Sequence, residues 1–445
     1  NSTSYYVDVL LKSTGADTSV NVHEHVENYP TFKENFELDG ATTNFLVNGP
    51  YVDDRVMAYT NKESVNVGET VTIKGSAKIP GNVKIEIIRV GYYGGQGGKV
   101  VSTTTVPFKN QTSKETLTAP DANITTPLVK RCQWDTVYSY KVPANAITGV
   151  YYIRLTCIGG SNNGVQNYAF FVVHNDAIAG DILVKINTNS YAAYNEYGGF
   201  DFYTASLSPK VSKDRPTGSW SGANNVQRWE LCTIYWLERM GYRVSYCTDE
   251  DVHKKGEVYL RQFKVHLSSG HDEYWTKKQY NDVFNAVNNG LNLVLLSANA
   301  AYWLGRYEDN NRTYCVYKNS VKWFDPNTIL INDPIGPTCR PRDSLLLKSP
   351  TENPNNRYPE TKLWGAMYTN DDAYQGYDYR INANRVDTYA LPAKAVYSGL
   401  ADPLFEGTSF KDGDNLPNCA GYEIDHIGNS WMPEIKDGTQ FRILN

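Results

Sequence analysis

The residues with the clearest chemical potential lie in the stretch His266-Leu-Ser-Ser-Gly-His-Asp-Glu-Tyr-Trp275. An apolar strand should end at Gly270, and His271, Asp272 and Glu273 follow at once. A histidine beside carboxylates can move protons or bind a metal ion. In open α/β sheets, ligands bind beyond the carboxyl ends of the parallel strands, so this position favours function. The simpler interpretation is that Asp272 caps the next helix while its two neighbours are solvated.

Two other predicted strand ends also carry polar side chains. The strand over residues 182–187 leads into Asn189–Gly199, and the strand over residues 291–297 leads into Ala298–Trp303, which contains Asn299. If the strands are parallel neighbours, phenols, a histidine, a carboxylate and a carboxamide converge on one edge of the sheet. Convergence of this kind predicts a site, although packing alone is the more common explanation for any single tyrosine. The tyrosines concerned are Tyr191, Tyr194 and Tyr197.

Strands and helices alternate from about residue 176, which predicts an α/β domain over residues 176–445 with a mostly parallel sheet. The acidic run Asp249-Glu-Asp251 should open a helix, because the helix dipole favours negative charge there. From about Tyr314 onward the pattern is rich in loops. The predicted strands cover residues 182–187, 243–247, 262–268 and 291–297, and the predicted helices cover residues 229–240 and 277–289.

Residues 48–175 show short alternating strands separated by turns, which predicts a β-sandwich. The glycine-rich run Gly91–Gly98 lies between strands and opens no helix, so we interpret it as a turn and not as a nucleotide-binding loop. Residues 1–47 are expected to form one strand and an extended arm. Such an arm can add itself to the sheet edge of a neighbouring copy, so a homo-oligomer or filament is a further hypothesis.

Composition excludes several classes of protein. A chain of 445 residues is too long for one small core, and no apolar run is long enough to span a bilayer. The net charge of −5 is spread over interspersed residues, so we expect no nucleic-acid partner. The 34 tyrosines against 14 phenylalanines suit an extracellular β-rich surface, a polymer-binding face or a phenolate-rich site, and composition does not choose among them.

Several features point to a secreted glycoprotein. The chain begins at Asn1 instead of Met, and we expect that a signal peptide has been removed. Seven cysteines show no zinc-site spacing, so disulfides are expected. Glycosylation motifs start at Asn1, Asn110, Asn123 and Asn311, and the suggested disulfides pair Cys132 with Cys157, Cys232 with Cys247, and Cys315 with Cys339, leaving Cys419 over.

Several short motifs stand out in this chain. They are Arg89–Gly95, Ala193-Tyr-Asn195 with Gly198-Gly199, Asp214-Arg-Pro216, Trp236–Tyr242 followed by Thr248–Asp251, Ser269–Trp275, and Gly421-Tyr-Glu-Ile-Asp425. With these motifs, residues 48–430 resemble the large (beta) subunit of N,N-dimethylformamidase and its relatives, and the stretch Ser269–Trp275 is the most specific of them. The resemblance implies an immunoglobulin-like sandwich, then an α/β domain similar to class I glutamine amidotransferases.

The same resemblance implies a mononuclear iron, expected as Fe3+, held by two tyrosinates and one carboxylate. The carboxylate would be Glu273 and the first phenolate Tyr194. The second phenolate should come from the helix after Gly199, where Tyr235 is the best match. The residues implied around the metal are His271, Asn299, Glu423 and Lys318.

The chemistry of these residue types agrees with that implication. Phenolate and carboxylate oxygens are hard donors suited to a highly charged ion, and the absence of a second histidine from the motifs argues against zinc. A metal with an open position polarises an amide carbonyl or acidifies a water. We therefore expect a secreted iron-dependent hydrolase that cleaves an amide or another C–N bond in a small molecule.

Two other functions remain open at this point. One is a non-catalytic extracellular structural or filament-forming glycoprotein on the same scaffold, which the tyrosines, the glycosylation motifs and the arm favour. The other is a carbohydrate-binding module in residues 48–175, which the aromatic residues of the sandwich support only in a general way.

Overall fold

The computed structural model describes residues 29–35, 37–42, 53–118, 129–203, 208–218, 223–297 and 299–318. Further along the chain it describes residues 338, 360, 363, 367–371, 377–380, 396–397, 415–420, 423–426 and 442–443. The predictions for residues 1–28 and for most of residues 319–445 lie outside these ranges.

The first half of the described chain forms two mostly antiparallel sheets around a shared core, and a separate pair of strands. The strands are β1 Ala41–Thr42, β2 Val56–Thr60, β3 Ser64–Asn66, β4 Thr70–Ala77, β5 Gly81–Val90, β6 Gly98–Phe108, β7 Glu115–Thr118, β8 Val129–Cys132, β9 Thr136–Lys141, β10 Gly149–Ile158 and β11 Gln166–His174. The six-stranded sheet has the order β1-β6-β5-β10-β11-β3, in which only β11 and β3 are parallel, and the three-stranded sheet has the order β2-β4-β9. Strands β7 and β8 pair only with each other. Both sheets contribute to the core, with Val71 and Ile73 from one and Ile85, Ile87 and Phe171 from the other.

The sequence predicted these strands because apolar side chains recur at every second position. In β4 the buried positions alternate with exposed or half-buried ones until the strand end. The immunoglobulin-like identity of this sheet pair stays a prediction.

The described part of the N-terminal arm packs against its own chain. Helix α1, Pro30–Glu34, lies beside the second half, where the Tyr29 hydroxyl donates to the Val244 carbonyl at 3.2 Å. Strand β1 then pairs with β6 and extends the six-stranded sheet. This segment therefore completes the fold of one chain, and an assembly role for residues 1–28 stays a prediction.

The second half contains a parallel sheet with the order β14-β12-β15-β17. A second, mixed sheet has the order β13-β19-β18-β16. Helices cover the parallel sheet, as the alternating pattern predicted. The elements are β12 Ile182–Ile186, α2 Thr188–Ala193, β13 Lys210–Ser212, α3 Ala223–Trp229, α4 Leu231–Arg239, β14 Val244–Thr248, α5 Asp249–Leu260, β15 Val265–Gly270, β16 Tyr274–Thr276, α6 Lys277–Asn288, β17 Asn292–Ser297, β18 Trp303–Glu308 and β19 Thr313–Cys315.

Two details differ from the sequence prediction. The helix predicted over residues 229–240 is α4, which covers Leu231–Arg239, and the helix α3 just before it, Ala223–Trp229, was not predicted. The chain also forms the short strand β16 between the His271–Glu273 segment and α6, because Tyr274–Thr276 pairs with β18 of the mixed sheet. The acidic run does open a helix, since Thr248 and Asp251 form a reciprocal capping box at the start of α5.

In the C-terminal part of the chain, the described residues form three pairs of short strands. They are β20 Met367–Asp371 with β24 Glu423–His426, β21 Tyr377–Arg380 with β23 Asn415–Ala420, and β22 Val396–Tyr397 with β25 Arg442–Ile443. Within the described residues, no helix is long and apolar enough to cross a membrane.

The two halves share a buried apolar interface. Ile88, Tyr152 and Val172 of the six-stranded sheet pack in one cluster with Val184 and Leu267 of the parallel sheet. A buried ion pair reinforces this contact, because Arg89 donates to both oxygens of Glu238, at 2.8 and 3.2 Å.

The cysteines do not form the disulfides suggested by their order. Cys132, Cys157, Cys232 and Cys247 are free thiols, so the pairs Cys132–Cys157 and Cys232–Cys247 are wrong. Cys232 is exposed on α4, whereas Cys247 is fully buried in β14. The two thiols are therefore in different environments although they are close in sequence. Cys315 is also free, and Cys339 and Cys419 lie outside the described residues.

Candidate active site at the strand ends

Helix α2 places Tyr194 at the carboxyl end of β12. The helix begins directly after the strand, and Asp249 accepts a hydrogen bond from the Asn189 amide at 3.0 Å. Tyr194 ends the helix and turns its ring toward the segment after β15. The neighbouring strand thus brings His271 and Glu273 to the same edge, as parallel strands require.

Glu273 is the centre of this group of side chains. Its carboxylate is buried, and its Oε2 accepts a hydrogen bond from the Tyr194 hydroxyl at 2.6 Å. The Tyr203 hydroxyl lies 2.9 Å from Oε1 and 3.1 Å from Oε2, and the indole nitrogen of Trp303 donates to Oε1 at 3.0 Å. His271 Nε2 lies 3.0 Å from Oε2. Tyr194, Tyr203, His271 and Glu273 are called the phenol–carboxylate cluster below.

Tyr203 is the residue that the sequence analysis missed. Its ring stacks on that of Tyr194, with 4.3 Å between the centroids and 15° between the planes. Tyr203 is 45% exposed as a residue, but its hydroxyl faces Glu273. Tyr203 also hydrogen-bonds the Tyr274 hydroxyl. The expectation that a second phenol follows Gly199 pointed to this region, but the residue lies in a bend and not in a helix.

The phenols and the carboxylate of the phenol–carboxylate cluster differ in their ionisation state. Burial raises the pKa of Tyr194 well above its usual value, and the negative charge of Glu273 raises it further. The pKa of Tyr203 is raised by the same two causes. Burial also disfavours the charged form of Glu273, but the hydrogen bond from His271 and the charges of His271 and Lys318 outweigh it and lower the pKa to about 2. An ionised carboxylate therefore lies beside two protonated phenols.

Trp229 packs against the cluster from the end of α3. Its ring centroid is 6.3 Å from that of His271. Gly270 allows this approach, because a Cβ at that position would lie 2.5 Å from the Trp229 Cβ, and the backbone there has a φ of +83°. The glycine of the motif is thus required by packing.

Lys318 lies against the aromatic rings beside Glu273. Its Nζ is 3.5 Å from the centroid of the Tyr203 ring and 4.9 Å from that of Trp303. Burial lowers the pKa of Lys318 to about 7, although the charges of Glu273 and Asp201 oppose the shift. A lysine with this pKa can accept and return a proton near neutral pH.

The remaining residues implied by the sequence have different positions. Asn299 is buried in the turn after β17, with a left-handed φ of 62°. This turn is bonded to the His271–Glu273 segment, since the Ala301 amide donates to the Asp272 carbonyl at 2.9 Å. Glu423 begins β24 opposite Asp371, and its side chain lies outside the described residues.

The structure does not bring Tyr235 to the phenol–carboxylate cluster. The side chain lies on α4 and packs against the core between the two halves of the chain. Its hydroxyl fills the space beside Gly97, where a Cβ would lie 1.6 Å away. The helical position that favoured Tyr235 in the sequence therefore faces the sandwich.

The cluster has the donor set of a hard cation site. Its converging groups are two phenol oxygens and one carboxylate. Among the described residues, no group of three or more His, Cys, Asp and Glu side chains could hold a metal ion, so a zinc site built from such residues is not found there. A cation can take the place of the phenol protons, because its charge lowers the pKa of a bound oxygen acid.

The three solved structures described here carry no argument about function, because their TM-scores are far below the value that indicates a shared fold. A structure of toxic shock syndrome toxin-1 recognition by T cells gives a TM-score of 0.16 at 15% identity, covering 26% of this chain and 97% of that one. Superoxide reductase from Ignicoccus hospitalis gives 0.16 at 10% identity over 26% and 79%. Domain 1 of VCBP3 from Branchiostoma floridae gives 0.16 at 10% identity over 26% and 93%.

Comparison with known sequences identifies the family of this chain. No curated protein matches the chain. The profile described as N,N-dimethylformamidase beta subunit-like, C-terminal, matches residues 84–444, which include the cluster and much of the sandwich. Because this match covers most of the chain, the protein belongs to the N,N-dimethylformamidase beta subunit-like family.

Proposed function

We propose that this protein is an iron-dependent hydrolase that cleaves an amide or another C–N bond in a small molecule. Its family suggests hydrolase chemistry. The observation that carries the proposal is the approach of two phenol oxygens to one ionised, buried carboxylate at the carboxyl ends of parallel strands.

Tyr194, Tyr203 and Glu273 would hold the metal. All three are oxygen donors, and each tyrosine hydroxyl lies within 3.1 Å of a Glu273 oxygen. The position that the sequence analysis assigned to Tyr235 is thus better filled by Tyr203. When bound, iron supplies Lewis acidity that polarises a carbonyl or acidifies a water.

The protein's own groups supply the proton transfers. His271 Nε2 lies 3.0 Å from the Tyr194 hydroxyl and from Glu273, so it borders the metal-holding oxygens. Lys318, with its pKa lowered to about 7 by burial, can act as the second acid or base. For the other two residues that the resemblance implies, we propose that Asn299 holds a developing oxyanion and that Glu423 moves a proton.

The test is to locate the metal and to measure turnover together. Full-length protein would be analysed for iron by elemental analysis, and anomalous scattering at the iron edge would place the ion. Release of amine from formamides, N-alkyl amides and arylamides would be measured with iron-loaded and chelated protein. Iron between Tyr194, Tyr203 and Glu273 with iron-dependent amine release supports the proposal. Fully loaded protein with the ion elsewhere, or with no release from any amide, refutes it.

We also propose that the protein is secreted and glycosylated. Asn110 supports this, because it is exposed after β6 and accessible to modification. The free thiols of the described residues provide no support from disulfides. Mass spectrometry of the protein from its native source would detect a glycan on Asn110, and an unmodified Asn110 in secreted material would contradict glycosylation there.

A further inference from the structure

A buried group of three charges lies behind the phenol–carboxylate cluster. Lys185 on β12 donates to Asp249 and to Asp272, with 2.5 Å between the ammonium and each carboxylate. All three side chains are 0% exposed. The Lys185 ammonium also lies 5.3 Å from the centroid of the Trp275 ring. Lys185, Asp249 and Asp272 are called the lysine triad below.

Each carboxylate of the lysine triad holds one of the two segments that carry the cluster. Asp249 accepts the Asn189 amide at 3.0 Å with its second oxygen and thereby fixes the first turn of α2, which ends at Tyr194. Asp272 lies between His271 and Glu273 in the chain. One ammonium thus connects the helix of the phenol to the segment of the carboxylate.

Direct hydrogen bonds between the two segments depend on the same alignment. The Glu273 amide donates to the Ser190 hydroxyl at 3.0 Å, and the Asn189 side chain donates to the Tyr274 carbonyl at 3.1 Å. Hydrogen bonds require a short distance between donor and acceptor, so a shift of either segment by about 1 Å would break these two bonds. The lysine triad supplies the charge-assisted contacts that hold the two segments in register.

Burial of three charges is expensive, and stability alone does not account for it. Removing ions from water costs several kcal/mol each, and apolar residues of similar volume often stabilise a core as well or better. Buried ion groups are best attested where they specify one geometry. In this chain the geometry specified is the distance between Tyr194 and Glu273.

We propose that the lysine triad is the positioning element of the metal site. It sets the separation of the Tyr194 and Glu273 oxygens and thereby the affinity of the site for iron. This inference rests on the proposed function for its metal, but the oxygen separation is a property of the protein alone.

The matched control is the other buried ion pair, Arg89 with Glu238, which joins the sandwich to α4. Its charges are also buried, with side-chain exposures of 1% and 0%. None of its hydrogen-bond partners belongs to the phenol–carboxylate cluster. Loss of either ion group should destabilise the fold, but only loss of the lysine triad should change the site.

The experiment compares Lys185→Met, Asp272→Ala and Asp272→Asn with Arg89→Met in the full-length chain. Iron affinity, the visible phenolate-to-iron absorption band and the thermal midpoint would be measured for each. We expect Lys185→Met and Asp272→Ala to weaken iron binding by about 10–100-fold, the effect typical of residues that orient ligands. Asp272→Asn keeps an acceptor for the lysine, so it should lose less than Asp272→Ala. Arg89→Met should change the midpoint but not the iron affinity or the band.

Crystal structures of the metal-free variants test the inference without iron. We expect the Tyr194–Glu273 oxygen separation, 2.6 Å in the wild type, to grow beyond hydrogen-bond distance in Lys185→Met or, if that variant does not fold, in Asp272→Asn or Asp272→Ala. An unchanged separation with wild-type iron affinity overturns the positioning role. A wild type that binds no iron overturns the proposed function. In that case the Tyr194–Glu273 oxygen separation in the variants still tests the positioning role of the lysine triad.

Discussion

Two buried glutamates in this protein have opposite surroundings. Glu238 joins the two halves of the chain and is matched by a permanent cation, since Arg89 donates to both of its oxygens. Glu273 stands at the strand ends among two phenols, a histidine and an indole. Arg89 neutralises Glu238, whereas the two phenols beside Glu273 carry protons that a bound cation can replace.

The position of each glutamate agrees with this difference. The remaining contacts of Glu238 come from the Tyr246 hydroxyl at 2.7 Å and the Asn35 side chain at 2.9 Å, so its acceptor capacity is used in holding elements together. Glu273 instead lies beside two phenols, which are oxygen acids able to bind a cation together with it. The contacts of Glu238 therefore fit a structural role, and those of Glu273 fit the metal site that we propose.

The largest expected effect is the loss of the metal from the site of Glu273. We predict that Glu273→Ala abolishes iron binding and amide hydrolysis, because it removes the only carboxylate of the phenol–carboxylate cluster. Elemental analysis and amine release would measure both. The matched variant Glu238→Ala should retain iron. Equal iron loss in the two variants would show that Glu273 has no specific role in binding the metal.

The second prediction concerns the stability supplied by the other glutamate. Arg89→Met leaves Glu238 buried without its cation, so the free energy of unfolding should fall by about 3–5 kcal/mol. Denaturant unfolding followed by fluorescence would measure it. A loss of less than about 1 kcal/mol would place this pair in the range of exposed ion pairs and contradict a structural role.

The third prediction separates the two candidate second phenols. Tyr203→Phe should weaken iron binding by at least about tenfold and change the visible absorption band, because it removes an oxygen of the cluster. Tyr235→Phe should leave both unchanged, since Tyr235 packs beside Gly97. Isothermal titration with iron and absorption spectroscopy would check both variants. The reverse result would restore the assignment made from sequence.

The smallest expected effect is on the pH dependence of stability, and it concerns a third buried glutamate. Glu230 is 0% exposed, and neither it nor the nearby Tyr191 hydroxyl has a hydrogen-bond partner of good geometry. Burial raises the pKa of Glu230 from 4.5 to about 8. Because the folded state holds the proton more tightly than the unfolded state, this group stabilises the fold fully below about pH 4.5 and loses that contribution as pH rises toward 8.

The variant Glu230→Gln tests that expectation. Across this pH window, the unfolding free energy of the wild type should fall relative to that of the variant by roughly 1.4 kcal/mol per pH unit. Denaturant unfolding at several pH values would show it. Parallel stability curves for the two proteins would mean that Glu230 is ionised in the fold and has a cationic partner.

The sequence predicted the fold best where the pattern is repetitive. Strands β4, β5, β10 and β11 follow from alternation of apolar residues, and the parallel sheet follows from strands that alternate with helices. Helix α3 was missed because its seven residues, Ala223–Trp229, are too few and too polar to show a helical period of apolar side chains.

The site was predictable to the same extent. His271 and Glu273 were predicted because they follow a strand directly, and the carboxyl ends of parallel strands coincide in space. Tyr194 was chosen among the tyrosines after β12 by the family resemblance. Lys185 was not singled out, since a lysine in a strand has no distinctive sequence signal. Its carboxylate partners come from segments 64 and 87 residues away.

By itself, the sequence determined the order of elements and the residues at each strand end, because periodicity and turn chemistry act over a few neighbouring residues. Only the tertiary structure decided that Tyr203 and not Tyr235 approaches Glu273, and that Cys132 and Cys157 remain apart. These outcomes depend on where a bend and a helix face are placed by packing of distant elements. Local sequence patterns contain no information on such distances.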